Sequence, residues 1–197
     1  MKNFRLKNAI FIIAALLMFS ACDDDTPTIG ATTMVEATSY TEWVYFSFSE
    51  GKIVDVTDPK TETNWDIGLR RNHFSTNSGS SGNGAGGVFD AGVVDFDAYF
   101  EAPETEYTVD DTVQNMDLTT IPFPTMYSIA GNTVLETWGV FTEEQPPTFI
   151  PSNKVFAVKT ADGKYVKMII QSYYGADGSG YITFKYVYQS DGSTNLE

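Results

Sequence analysis

The chain has 197 residues, enough for one domain with a substantial core. Hydrophobic residues make up 42% of it, which excludes a wholly disordered chain, and the 14% aromatic share favours pleated, half-buried surfaces. A net charge of −14 repels phosphate backbones and argues against nucleic acid as a partner.

The N-terminus, MKNFRLKNAIFIIAALLMFSAC, opens with Lys2, Arg5 and Lys7, then runs apolar from Ala9 to Phe19 before small residues and Cys22. That is the layout of a signal peptide over residues 1–21. The apolar run is shorter than the ~20 residues a membrane-spanning helix needs. Cys22, the only cysteine, stands directly behind Ser20 and Ala21 and resembles the lipidated cysteine of a bacterial lipobox, so a lipid anchor in the membrane is expected there. Asp23, Asp24 and Asp25 resemble the surface-export signal of Bacteroidetes lipoproteins. Residues 22–38 have no apolar periodicity and are expected to form a flexible tether, with the folded domain at 39–197.

From residue 39 onward no segment keeps a 3.6-residue apolar period. Short strand-like runs recur instead, among them WVYFSFS (43–49), IVDVT (53–57) and NWDIGLR (64–70), separated by Gly, Asp, Asn and Pro. The glycine-rich stretch NHFSTNSGSSGNGAGG (72–87) ends in GNGAGG, which has the form G-x-G-x-x-G. A dinucleotide loop of that form opens a helix whose N-terminal N–H groups hold the pyrophosphate. Here VFDAGVVDFD follows, which is strand-like and starts no helix, so the run reads as a structural loop. Residues 101–151 carry prolines at 122, 124, 146, 147 and 151 and read as loops and interrupted edges, because proline cannot donate to a ladder. KVFAVK (154–159), YVKMIIQSYY (165–174) and YITFKYVYQ (181–189) then form a three-stranded antiparallel meander, with Ile182, Phe184, Tyr186 and Tyr188 on one buried face and Met168 in the core. The expected fold class is all-β, a single domain of antiparallel sheets.

Candidate chemistry is sparse. His73 is the only histidine, so a catalytic relay or a multi-histidine metal site has one possible base, and without ligand spacing around it a surface or loop position is expected. Asp95 and Asp97 share one face of an expected strand, but 26 acidic residues produce such pairs freely, and no enzyme is expected. Met126, in FPTMYSIAGN, is placed in a loop between prolines and a Gly-Asn turn. Its thioether is a soft ligand able to coordinate haem iron, with packing as the competing role.

Tyr40, Trp43 and Tyr45 to Ser49, then Val56-Thr57-Asp58, Asn64-Trp65-Asp66, Arg71 and the run from Asn77 to Gly87 follow one another in a recognisable order. Glu106 to Asp110, Lys154-Val155-Phe156 and Ala161-Asp162-Gly163 extend the pattern. In these residues the chain resembles the HmuY family of haem-binding lipoproteins. The resemblance implies an HmuY-like all-β domain with long ligand-binding loops, anchored at the outer membrane and exposed at the cell surface. It implies a haemophore that takes haem or another porphyrin from host or environmental haemoproteins and passes it to a TonB-dependent outer-membrane receptor. Two axial side chains from loops would hold the iron. Collinear matching puts the first on Met126 and the second near Glu143, with Tyr127 as a substitute, and Phe123, Tyr127, Trp138 and Phe149 as pocket walls. The alternative is a glycan- or protein-binding surface lipoprotein on the same scaffold that has lost the iron site, since Trp and Tyr stack on sugar rings as readily as on a porphyrin.

Overall fold

The computed structural model describes residues 31–99, 101–117 and 121–197; the expected signal peptide, Cys22 and the acidic triplet lie outside them. The strands are β1 (Ala31–Glu36), β2 (Val44–Ser47), β3 (Lys52–Val54), β4 (Ile67–Arg70), β5 (His73–Thr76), β6 (Gly87–Gly92) and β7 (Asp111–Asp117). They continue with β8 (Thr125–Gly131), β9 (Gly139–Phe141), β10 (Phe149–Pro151), β11 (Val155–Lys159), β12 (Tyr165–Gly175) and β13 (Gly178–Gln189). The protein is all-β and antiparallel, as its composition predicts.

A five-stranded sheet in the order β1-β13-β12-β11-β6 packs on a four-stranded sheet in the order β3-β2-β4-β5. The meander expected at the C-terminus is the centre of the larger sheet. Period-two alternation turns Val166, Met168 and Ile170 of β12 and Ile182, Phe184 and Tyr186 of β13 to the inner face, where all are buried. Phe46, Phe48, Ile67, Leu69 and Phe74 of the smaller sheet meet them there. Phe46 stands edge-on to Phe184 at 5.4 Å and to Tyr186 at 5.8 Å. Each such fully buried side chain contributes about 1.5–3 kcal/mol by leaving water.

Polar pins tie the sheets together. The Asp66 carboxylate accepts from the Phe48 N–H at 2.7 Å and the Ala161 N–H at 2.9 Å, so one side chain links β2 to the turn after β11. Asn77 is fully buried: its Nδ2 donates to the carbonyls of Glu62 and Trp65, each at 3.0 Å, and its Oδ1 accepts from the Gly84 N–H at 3.0 Å. The glycine run wraps this asparagine. A Cβ on Gly86 would stand 2.8 Å from the Asn77 carbonyl oxygen, and one on Gly82 would collide with the Asn77 amide. The run is thus a structural loop, and its glycines are small because Asn77 occupies the space.

Three local expectations change. Ala31–Glu36, inside the stretch read as tether, is a strand paired along its whole length with β13, from Ala31 opposite Tyr186 to Glu36 opposite Tyr181. Only Val35 of this strand is fully buried, so the apolar pattern is too thin to be seen in the sequence. Asp95 and Asp97 do not share a strand face. Asp95 caps a 3-10 turn at Phe96–Ala98 by accepting from the Asp97 N–H, and Asp97 pairs with Lys185 at 2.8 Å. The proline-rich middle is not only loops: β7 pairs with β8, and β9 with β10, as two separate hairpins.

Candidate functional site

Those two hairpins frame a cavity of about 620 Å³, within the roughly 300–1,000 Å³ usual for small-molecule sites. Its walls come from four places: Tyr40; Arg71, Asn72 and His73 at the β4–β5 turn; the two hairpins; and Tyr173, Tyr174 and Ser179 around the β12–β13 turn. The β7–β8 hairpin contributes Gln114, Asn115, Met116 and Met126, and the β9–β10 side contributes Phe141 and Pro147.

Met126 sits on β8 and faces this cavity, half exposed. It belongs to a strand rather than a loop because residues 125–131 pair with β7 beyond the reach of Pro124. Its partner directly across the ladder is Met116, so two thioethers stand side by side on the wall. Tyr127 accepts a 2.7 Å hydrogen bond from Asn115 Nδ2 and does not line the cavity.

The other expected site residues lie elsewhere. Phe123 is 81% exposed in the connection between β7 and β8. Glu143 is an exposed turn residue between β9 and β10, outside the cavity lining. Trp138 and Phe149 are 1% and 5% exposed and belong to the main core, with rings 4.4 Å apart. A 3-10 turn at Leu135–Trp138, held by Asn132 Oδ1 accepting from the Val134 and Leu135 N–H groups, drops Trp138 inward. There its Nε1 donates to the Asn72 carbonyl at 2.8 Å. Phe141 fills the wall position instead, 4.8 Å from Phe149 and half exposed.

Arg71 gives the cavity its positive group. Its φ of +54 is left-handed, which a non-glycine residue adopts at a cost of about 1–2 kcal/mol. The guanidinium lies 4.5 Å from the Tyr40 ring centre and 5.5 Å from that of Tyr173. It donates to the Ser179 carbonyl at 2.9 Å and to Ser179 Oγ at 2.7 Å. Burial pushes the Tyr173 phenol above the ordinary tyrosine range, with the Arg71 charge opposing.

His73 overturns the surface expectation. It is 7% exposed, on β5, with Nδ1 3.0 and 3.1 Å from the two Glu136 carboxylate oxygens and Nε2 3.2 Å from Asn115 Oδ1. A single strand-like run around it, HFST, was the only signal for burial. Glu136, 63 residues away, could not be paired with it from spacing.

The model of the HmuY protein family matches residues 39–186. The chain belongs to the HmuY family. An HmuY-like heme binding protein from Bacteroides vulgatus is 29% identical, with a TM-score of 0.63 over 81% of this chain and 92% of its own. A lipoprotein from Bacteroides fragilis is 27% identical, with a TM-score of 0.64 over 81% and 89%. The apo HmuY analog of Tannerella forsythia shares the fold at 22% identity, with a TM-score of 0.64 over 85% of this chain and 99% of its own. No curated protein sequence matches the chain. The HmuY match begins at residue 39, so β1 precedes the matched segment, while the β13 residues it pairs with, Tyr181 to Tyr186, lie inside it.

Proposed function

We propose that the protein binds haem or a related porphyrin reversibly, as cargo, in the cavity between the β7–β8 and β9–β10 hairpins. The observation that carries this reading is Met126, the residue matched to a ligand position, facing a cavity of about 620 Å³ walled by aromatic side chains. Thioethers are soft donors for haem iron. Met116 doubles the supply of soft sulfur, and Arg71 offers a cation to an acidic edge group of the ligand. Family membership and the relative designated heme-binding support the same class of ligand.

In this reading the chain is a carrier and does no chemistry on its ligand. It is a surface lipoprotein, held through Cys22 in the outer membrane, that takes haem from host or environmental haemoproteins and hands it to a TonB-dependent receptor. The lipobox sequence and the lipoprotein relative support the anchor; no helix of the described residues is long and apolar enough to cross a membrane. Titration with ferric and ferrous haem tests the reading. A Soret shift with a six-coordinate spectrum, lost or weakened in Met126→Ala, is expected. No shift at micromolar haem, together with binding on a glycan array, would move the protein to the glycan-binding alternative.

A further inference from the structure

Arg71 holds its side chain in the cavity against a backbone preference. β4 and β5 pair as far as Arg70 opposite His73, so Arg71 and Asn72 alone make the turn between them. Where the first central residue of such a two-residue turn has positive φ, glycine is favoured, and Arg71 sits there at +54. An outlier of this kind in a cavity wall points to a use for the side chain that occupies it. Space for the guanidinium is kept open as well: a Cβ on Gly180 would stand 2.8 Å from Nη1.

The charge so placed has no counter-ion. Among the described residues no Asp or Glu pairs with Arg71 and none lines the cavity, although the chain carries 26 acidic residues. The partners Arg71 does have are neutral: the Ser179 carbonyl and hydroxyl, the Thr38 carbonyl at 3.4 Å, and the rings of Tyr40 and Tyr173. Neutral oxygens and ring faces fix the direction of a guanidinium without neutralising it. Its hydrogen bonds all leave from the two terminal nitrogens, and Nε–H has no acceptor among the described residues. A guanidinium held this way suits a carboxylate, which takes charge-assisted bonds about twice as strong as neutral ones. The thioethers of Met116 and Met126, on the β7–β8 wall, are uncharged and leave the cation unmatched.

We infer that Arg71 is a specificity-determining residue of the cavity, its guanidinium taking a carboxylate at the edge of the bound tetrapyrrole and reading that acid independently of the iron. The inference rests on the haem reading above and deepens it by naming the group that is recognised. Haem and metal-free protoporphyrin both carry two propionate side chains, so the site accepts either. A tetrapyrrole whose acids are esterified offers the cation no charge and leaves it desolvated without compensation.

Titration with ferric haem, its dimethyl ester and metal-free protoporphyrin, followed by absorption and by quenching of tryptophan fluorescence, tests the assignment. The wild type should bind the dimethyl ester about 10- to 100-fold more weakly than haem, the factor one charged hydrogen bond supplies. Arg71→Gln should weaken haem and metal-free protoporphyrin by that same factor and leave the ester unchanged. A purely structural arginine would instead weaken acid and ester alike. If Arg71→Gln fails to fold by circular dichroism, the comparison of haem with its ester on the wild type carries the reading alone. An ester bound as tightly as haem, or an equal loss for acid and ester in Arg71→Gln, overturns the carboxylate subsite and leaves haem binding standing. A wild type that gives no Soret change with haem, yet binds metal-free protoporphyrin in a manner lost in Arg71→Gln, removes iron coordination and keeps the subsite.

Discussion

Asp110 and Asn77 show how much of the architecture hangs on single buried polar side chains. Asp110 Oδ2 accepts from the Thr76 N–H at 2.8 Å, and Oδ1 accepts from the Thr76 hydroxyl and from Asn132 Nδ2 at 2.9 Å. Asp110→Asn replaces one acceptor by a donor facing donors, and should cost about 1–3 kcal/mol in urea unfolding. Burial holds the Asp110 carboxyl above the ordinary carboxylate range, its hydrogen bonds opposing. Its folded-state affinity for a proton is therefore higher than in the unfolded chain, and its contribution is fully present below the unfolded pKa and lost as pH rises through the folded one. Asp110→Asn should thus be more damaging, relative to wild type, on the acid side of that window than at neutral pH; an equal penalty at both would refute the assignment. Gly82→Ala forces a methyl into the Asn77 amide and should cost about 1–3 kcal/mol by overpacking, measured the same way. The sequence shows that the run is followed by a strand-like stretch and opens no helix. It does not show that Asn77 is what the glycines make room for, because that contact closes only when the chain folds over itself.

At the level of elements, the β7–β8 hairpin is both the least legible segment and the one that carries the candidate ligands. Polar residues dominate its strands: Thr112, Gln114 and Ser128 are exposed, and only Val113 and Gly131 are buried. Prolines at 122 and 124 argue against a hairpin locally, yet they fall in the connection, where no ladder bond is lost. Val113 packs beside Gly131, where a Cβ would stand 2.8 Å from its side chain. Val113→Ala should cost about 2 kcal/mol and speed hydrogen exchange of the β7–β8 amides while those of β11 to β13 stay protected. Equal acceleration across both sheets would mean that the hairpin is not a separately opening unit. The C-terminal meander is the opposite case: its alternation was plain in YITFKYVYQ because one face of the strand packs on the core and the other does not.

For the molecule as a whole, β1 decides where the domain begins. Removing residues 31–36 strips six paired residues from β13 and exposes the groove that Val35 fills. The loss of Val35 burial alone is about 1.5–3 kcal/mol, so a chain beginning at residue 39 should melt roughly 3–12 °C lower in calorimetry. An unchanged melting temperature would return this segment to the tether. The all-β class, the meander and the family were legible in the sequence by itself, because they rest on alternation, turn residues and an ordered set of aromatic and glycine positions that survive without knowledge of contacts. The same order singled out Met126 as an expected ligand position, and the structure puts that residue on the cavity wall. The cavity, the pairing of Met116 with Met126, the withdrawal of Trp138 into the core and the Glu136–His73–Asn115 chain were decided only by tertiary structure. The Met116–Met126 pairing rests on the register of the β7–β8 hairpin and the others on residues distant in sequence meeting when the chain closes on itself, and no local pattern encodes either.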